Sequence, residues 1–146
     1  MTKILIPSET NSGERRVSAT PETVKKLKNL GCDVYIESSA GKLSGFSDLS
    51  YEGSGGTIIN DLNQNIWGEA DFIFCVHTPS EVQLSKLKKG AVLLGLLNPY
   101  GNKELFRIIK SNKISALSLE LLPRISRAQS SDVLSCLLYT SDAADE

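Results

Sequence analysis

Two short apolar runs, at residues 72–76 and 91–97, do most to limit what this chain can fold into. A strand wet on one face alternates apolar and polar residues, so runs this unbroken are expected where both faces are covered, as in a parallel sheet between helical layers. The stretch between them carries helix signals: Ser80 as a cap, 81–88 as the body and Gly90 as the stop. The same alternation runs toward both ends. Residues 3–7 read as a strand, and Thr20, Pro21 and Glu22 open a helix with the stripe Val24, Leu27 and Leu30 and a stop at Gly31. Residues 33–37 form the next strand, with Val34 and Ile36 on one side. A loop at 41–46 leads to a short helix capped by Ser47 and ending near Gly53, then a strand at 57–59. Beyond the apolar runs come a helix at 102–111, with Leu105, Ile108 and Ile109 inward, and a strand at 114–119.

Strands alternating with helices at this spacing imply right-handed crossovers. The expected fold class is α/β, a Rossmann-like doubly wound, mainly parallel sheet with helices on both faces. A length of 146 residues fits one domain, or one domain with a tail. The net charge of -1 supplies no basic excess to neutralise phosphates, which argues against nucleic acid. Lys25, Lys26 and Lys28, and Lys86, Lys88 and Lys89, fall on the helical stretches and read as solvated faces. No apolar run reaches the length of a membrane span, and with a strand expected directly after Met1 no leader peptide is expected. Cys32, Cys75 and Cys136 lack metal-ligand spacing; Cys32 and Cys75 read as reduced thiols.

A doubly wound domain raises the question of a dinucleotide. The glycine fingerprint after the first strand is absent: residues 7–13 hold only Gly13. Gly53, Gly55 and Gly56 precede a strand and read as a turn, and Gly90 and Gly95 lack the required spacing. This chain alone is therefore not expected to hold a whole dinucleotide. The first loop is richer, with Glu9, Glu14, Arg15 and Arg16. An arginine there either clamps a ligand carboxylate or pairs with Glu9 or Glu14 and ties the loop down; charge alone does not choose. His77, the one histidine, stands just past an apolar strand, where catalysis would need a partner within hydrogen-bond reach; a loop histidine is the plainer reading. Trp67 and the tyrosines read as packing anchors at a sheet end.

The most distinctive stretch is Arg124, Ile125, Ser126, Arg127, Ala128, Gln129, Ser130, Ser131 and Asp132, after a mostly apolar run and Pro123. It sets a cation, an amide and a carboxylate at the expected carboxyl end of the last strand, where such folds place working groups. Read from residue chemistry alone, it is a solvated loop with Asp132 as a helix cap.

Two stretches together resemble a known family. Ile6, Pro7, Ser8 and Glu9, followed by residues 14–21, resemble the opening of the alanine dehydrogenase and nicotinamide-nucleotide transhydrogenase group, and residues 124–132 resemble the transhydrogenase alpha-subunit signature. The resemblance runs from Lys3 to about Ser135, so 1–135 is expected to be the N-terminal domain of this type. On the alanine dehydrogenase side, Arg16 matches the keto-acid arginine, but His77 stands at the lysine position and Leu97, Asn98, Pro99 and Tyr100 offer no histidine. On the transhydrogenase side, the resemblance implies a loop that holds NAD(H) for hydride transfer to NADP on another subunit. Arg124 would bind phosphate or ribose oxygens, Gln129 the nicotinamide carboxamide or ribose, and Asp132 would hold Arg124 or a ribose hydroxyl, with Ile125, Ser126 and Arg127 in the same binding loop. None of these is a proton-transfer group.

The resemblance further implies that NAD(H) is bound mainly by a second domain and NADP(H) by a partner subunit. Implied partners are membrane and NADP-binding subunits and a second alpha subunit in a homodimer, with the domain cytoplasmic and peripheral to the inner membrane. Hydride transfer would be coupled to proton translocation; no metal is implied. An alanine-dehydrogenase-like domain and a non-catalytic scaffold are the other readings. Residues 136–146 resemble a translated sequencing-library adapter throughout and are expected to be a non-native tail outside the fold.

Overall fold

In a computed structural model, residues 2–98, 101 and 103–121 are described. The stretch 124–132 and the tail 136–146 lie outside them. The chain lays down β1 (Lys3–Ile6), α1 (Pro21–Asn29), β2 (Asp33–Glu37), α2 (Asp48–Gly53), β3 (Thr57–Ile59), β4 (Phe72–His77), α3 (Glu81–Ser85), β5 (Val92–Leu96), α4 (Lys103–Asn112) and β6 (Ser115–Ser118). The helix starts are the ones the side chains dictate. Thr20, Ser47 and Ser80 each stand in extended conformation and accept the backbone N–H three residues on. At α3 the Gln83 side chain answers back to the Ser80 backbone N–H, closing a capping box.

The six strands form one sheet in the order β3-β2-β1-β4-β5-β6, and every pair is parallel. Two cores follow from the alternation of side chains across it. On one face Ile4, Ile6, Val34 and Ile36 meet Val24 of α1 and Tyr51 of α2. On the other, Leu5, Ile73, Cys75 and Leu93 meet Leu84, from α3, and Leu105, from α4. Helices thus cover both faces, as expected of a doubly wound domain.

Several details depart from the sequence reading. Asp61–Gly68 forms a 3-10 segment with no helical stripe to announce it, and it carries Ile66 and the fully buried Trp67 into the core. Leu30 is not part of the α1 stripe: it caps the helix as Gly31 turns left-handed, and is 79% exposed. Helix α3 ends at Ser85 rather than 88, because Leu87 turns into the core. Lys88 then lies beyond that helix and pairs with Asp71 instead of forming a solvated helical face. His77 is the last residue of β4 rather than a loop residue. Covering of β4 is uneven: Ile73 and Cys75 are buried, but Phe72 and Phe74 are only partly so.

The registers of β4 and β5 shift between Phe74 and His77. At this irregularity the strands approach so closely that a Cβ on Gly95 would stand 2.5 Å from the Cys75 carbonyl oxygen. Gly95 is therefore fixed by backbone proximity.

Candidate functional site

The sheet order reverses at β1, whose neighbours are β2 on one side and β4 on the other. Crossovers leaving the carboxyl ends of β1 and β4 therefore diverge, and the crevice between them is where open α/β sheets gather working groups. Residues 7–20, between β1 and α1, fill the rim of that crevice, and β4 ends in it at His77.

Two carboxylates cross from the loop to the strand. Glu9 accepts the backbone N–H of Val76 at 3.0 Å and that of His77 at 2.8 Å. These successive donors lie at the register shift between β4 and β5. Glu14 is the hub. It accepts the Arg16 backbone N–H at 2.8 Å, Arg16 Nε at 2.9 Å and Arg16 Nη2 at 2.9 Å, and its Oε2 lies 2.5 Å from His77 Nε2. Its side chain is 7% exposed. The Arg16 fork beside Glu14 holds this carboxyl at about 2, against burial, which pushes the other way; the Arg16 amide and His77 add to the lowering. An ionised carboxylate has only acceptors, so His77 Nε2 carries the proton in this contact.

Of the two readings the charges left open, the pairing is the one seen. Arg16 is engaged two-pronged by Glu14 and ties the loop down, and Arg15 contributes its carbonyl, which accepts Ser44 Oγ. His77 has a partner, and that partner is a structural carboxylate.

Above the rim lies a cleft of about 260 Å³ lined by Arg16, Val17, Ser18, Phe74, Leu94 and Leu119, among others. Ser18 Oγ donates to the Phe74 carbonyl at 2.6 Å and pins the loop's far end to β4. Cys75 borders the cleft, but burial and the nearby Glu9 charge push its thiol up to about 12, so it is no nucleophile.

The described residues do not fit a whole dinucleotide. The β1–α1 loop has one glycine, and the first turn of α1 is occupied by its own cap, Thr20, and by Pro21, which has no N–H. The polar stretch 124–132 begins a few residues past the last described one. What leads to it is well fixed: after β6, Glu120 Oε1 accepts the Asn98 backbone N–H at 2.5 Å and Ser118 Oγ at 3.0 Å. The sequence points to Glu9 only as a charge and not at all to Glu120, because the backbone groups they accept from lie far along the chain and only the sheet order brings them near.

A parallel doubly wound sheet with its polar network at the switch point defines the chain as an α/β domain of the dehydrogenase kind, with no phosphate-binding turn among the described residues. The chain belongs to the alanine dehydrogenase/PNT N-terminal domain family, whose profile matches residues 5–138. It is 36% identical over 136 residues to the NAD(P) transhydrogenase subunit alpha of Haemophilus influenzae, covering 93% of this chain and 26% of that one. It is 32% identical over 126 residues to alanine dehydrogenase 1 of Staphylococcus aureus, covering 86% and 33%. The solved transhydrogenase from Sinorhizobium meliloti superposes with a TM-score of 0.84 at 38% identity, over 90% of this chain and 39% of that one. The chain therefore spans between about a quarter and two-fifths of the length of these proteins. Among the described residues no helix is long and apolar enough to cross a membrane.

The Glu14 hub carries a pH signature. A carboxyl held at about 2 when folded, against an ordinary 4.5, stabilises the fold fully above the ordinary value and loses that contribution as pH falls through about 2. Because Arg16 is about half in water, the effect is of order 2 kcal/mol rather than the full linkage value. Glu14→Gln is expected to lower the unfolding free energy by that amount above pH 5, with the gap to wild type closing toward pH 2. Urea titrations across that range test it, and a pH-independent gap contradicts it.

Proposed function

We propose that this chain is the first domain, over 1–135, of an NAD(P) transhydrogenase alpha subunit, which transfers hydride between NADH and NADP+ in a process coupled to proton translocation. The two nucleotides are substrates. In this reading NAD(H) is held mainly by a second domain, NADP(H) by a partner subunit, and the stretch Arg124–Asp132 orients the nicotinamide of NAD(H). The alpha subunit works as a homodimer with membrane and NADP-binding partners, which keep it peripheral to the membrane. The domain on its own is inactive.

The observation that carries the choice between the family's branches is the occupancy of the switch point. Keto-acid chemistry by the route of the alanine dehydrogenases would use Arg16 with a lysine and a histidine. Here Arg16 is held by Glu14, His77 stands at the lysine position and itself donates to Glu14, and it is the one histidine in the sequence. The higher identity to transhydrogenase alpha subunits, over more of the chain, supports the same choice.

The test is a parallel assay of the full-length subunit with its partner subunits: NADH-dependent reduction of an NADP analogue, and NAD-dependent oxidation of alanine. Transhydrogenation without alanine turnover is expected. Alanine turnover would instead favour an amino-acid dehydrogenase, and neither activity a scaffold.

A further inference from the structure

We propose that the first loop is a latch whose hold on β4 depends on the protonation of His77. The latch is a bridge between distant parts of the chain: Glu9 and Glu14 reach across 67 and 63 positions to the end of β4. Among the described residues, the charged groups that face His77 are Glu9, Glu14 and Arg16, all from the loop. Two carboxylates and one guanidinium sum to -1, so a proton on His77 brings the cluster to zero. Without that proton the cluster keeps its excess negative charge, and the Glu14 carboxylate faces a neutral donor in place of a charged one, so the ion pair becomes an ordinary carboxylate hydrogen bond.

Burial makes this a usable switch. The Glu14 side chain is 7% exposed and the His77 side chain 34%, so water and protons reach the ring while the carboxylate stays sheltered. Imidazole is the side chain that changes charge near neutral pH. The loop also has the parts a latch needs. Gly13, at φ +81 with open space around it, turns the chain beside Glu14. Ser18, bonded to the Phe74 carbonyl, and the Thr20 cap hold the far end in place. Loss of the proton therefore loosens the segment between Glu9 and Arg16 and leaves α1 seated. Arg16 stays paired with Glu14 and borders the apolar cleft, so it moves with the loosened segment, and the latch sets how the mouth of that cleft is charged and shaped.

Amide exchange by NMR on the 146-residue chain tests this directly. The reporters are the backbone N–H of Arg16, which donates to Glu14, and those of Val76 and His77, which donate to Glu9. Protection corrected for intrinsic exchange is expected to fall about fivefold at Arg16 from pH 5.5 to pH 8, the order of the difference between a charged and a neutral donor to the Glu14 carboxylate. The fall should share its midpoint with the His77 ring resonances, and the α1 amides should not follow. His77→Gln keeps a donor but does not titrate, and should flatten the profile. Glu14→Gln should flatten it while the His77 ring still titrates, which gives a second route if the histidine variant folds poorly. Protection at Arg16 that is constant through the His77 titration, or that falls equally in both variants, would overturn the latch.

Discussion

Replacing Trp67 with alanine is expected to lower the unfolding free energy by about 3–5 kcal/mol, the usual cost of emptying a fully buried aromatic site. Trp67 has no exposed surface and sits in the larger core with Leu84, Leu105 and Ile73, so its removal leaves a cavity at the junction of α3, α4 and the sheet. For a domain of this size the loss corresponds to a fall in Tm of roughly 8–15 °C. The sharper contrast is Trp67→Phe. The indole Nε1 is buried and meets no acceptor among the described residues. An unmet buried donor costs on the order of 1–3 kcal/mol, so phenylalanine gives up volume but also removes that penalty. Its net cost is expected to be less than half that of alanine. Thermal and urea unfolding of the three proteins measure both differences; equal costs for alanine and phenylalanine would mean that the N–H is satisfied after all.

Trp67 also marks where the sequence stopped being legible. It reads as an anchor from residue type alone, but the 3-10 segment that delivers it has neither a strand's period nor a full helical stripe, and its placement depends on the core it enters. Elements whose ends are chemically punctuated were readable. Strand β2 runs from Asp33 to Glu37 as expected, because Gly31 turns the chain just before it and its apolar residues alternate. The three serine and threonine caps stand where their side chains demanded. The parallel sheet was legible in the apolar runs of β4 and β5, although the partial exposure of Phe72 and Phe74 was not.

The site divides in the same way. That the first loop matters was visible in its charges. What Arg16 does was not, because clamping a ligand and pairing with Glu14 use the same residues, and only the geometry of the Glu14 carboxylate separates them. Glu9 was singled out as a charge, yet its role as acceptor for two amides of an irregular strand could not be read without the pairing of β1 with β4. Linear spacing carries no information about contacts that the sheet order creates.

Arg124→Ala and Gln129→Ala in the full-length subunit, assembled with its partners, are expected to slow hydride transfer about a hundredfold each, the order of loss that follows a misplacement of about 1 Å between reacting groups. These losses follow from the role we propose for Arg124–Asp132. A hydride passes only when two nicotinamide rings are held at close approach, and no proton-transfer group is required of the stretch. Arg124 offers a rigid fork for phosphate or ribose oxygens, which a lysine could not reproduce, so Arg124→Lys should recover little of the rate. Gln129 offers both a donor and an acceptor to the carboxamide that fixes which ring face is presented. Asp132→Asn tests whether a charge holds Arg124, and should fall between wild type and Arg124→Ala. Since the second domain carries most of the nucleotide contacts in this reading, the Kd for NADH should change by less than the rate does. Stopped-flow hydride transfer to an NADP analogue, with NADH binding measured separately, reads the two effects apart. Unchanged rates in both alanine variants would remove this stretch from the reaction, and a loss confined to binding would make it a nucleotide clasp that does not orient the ring.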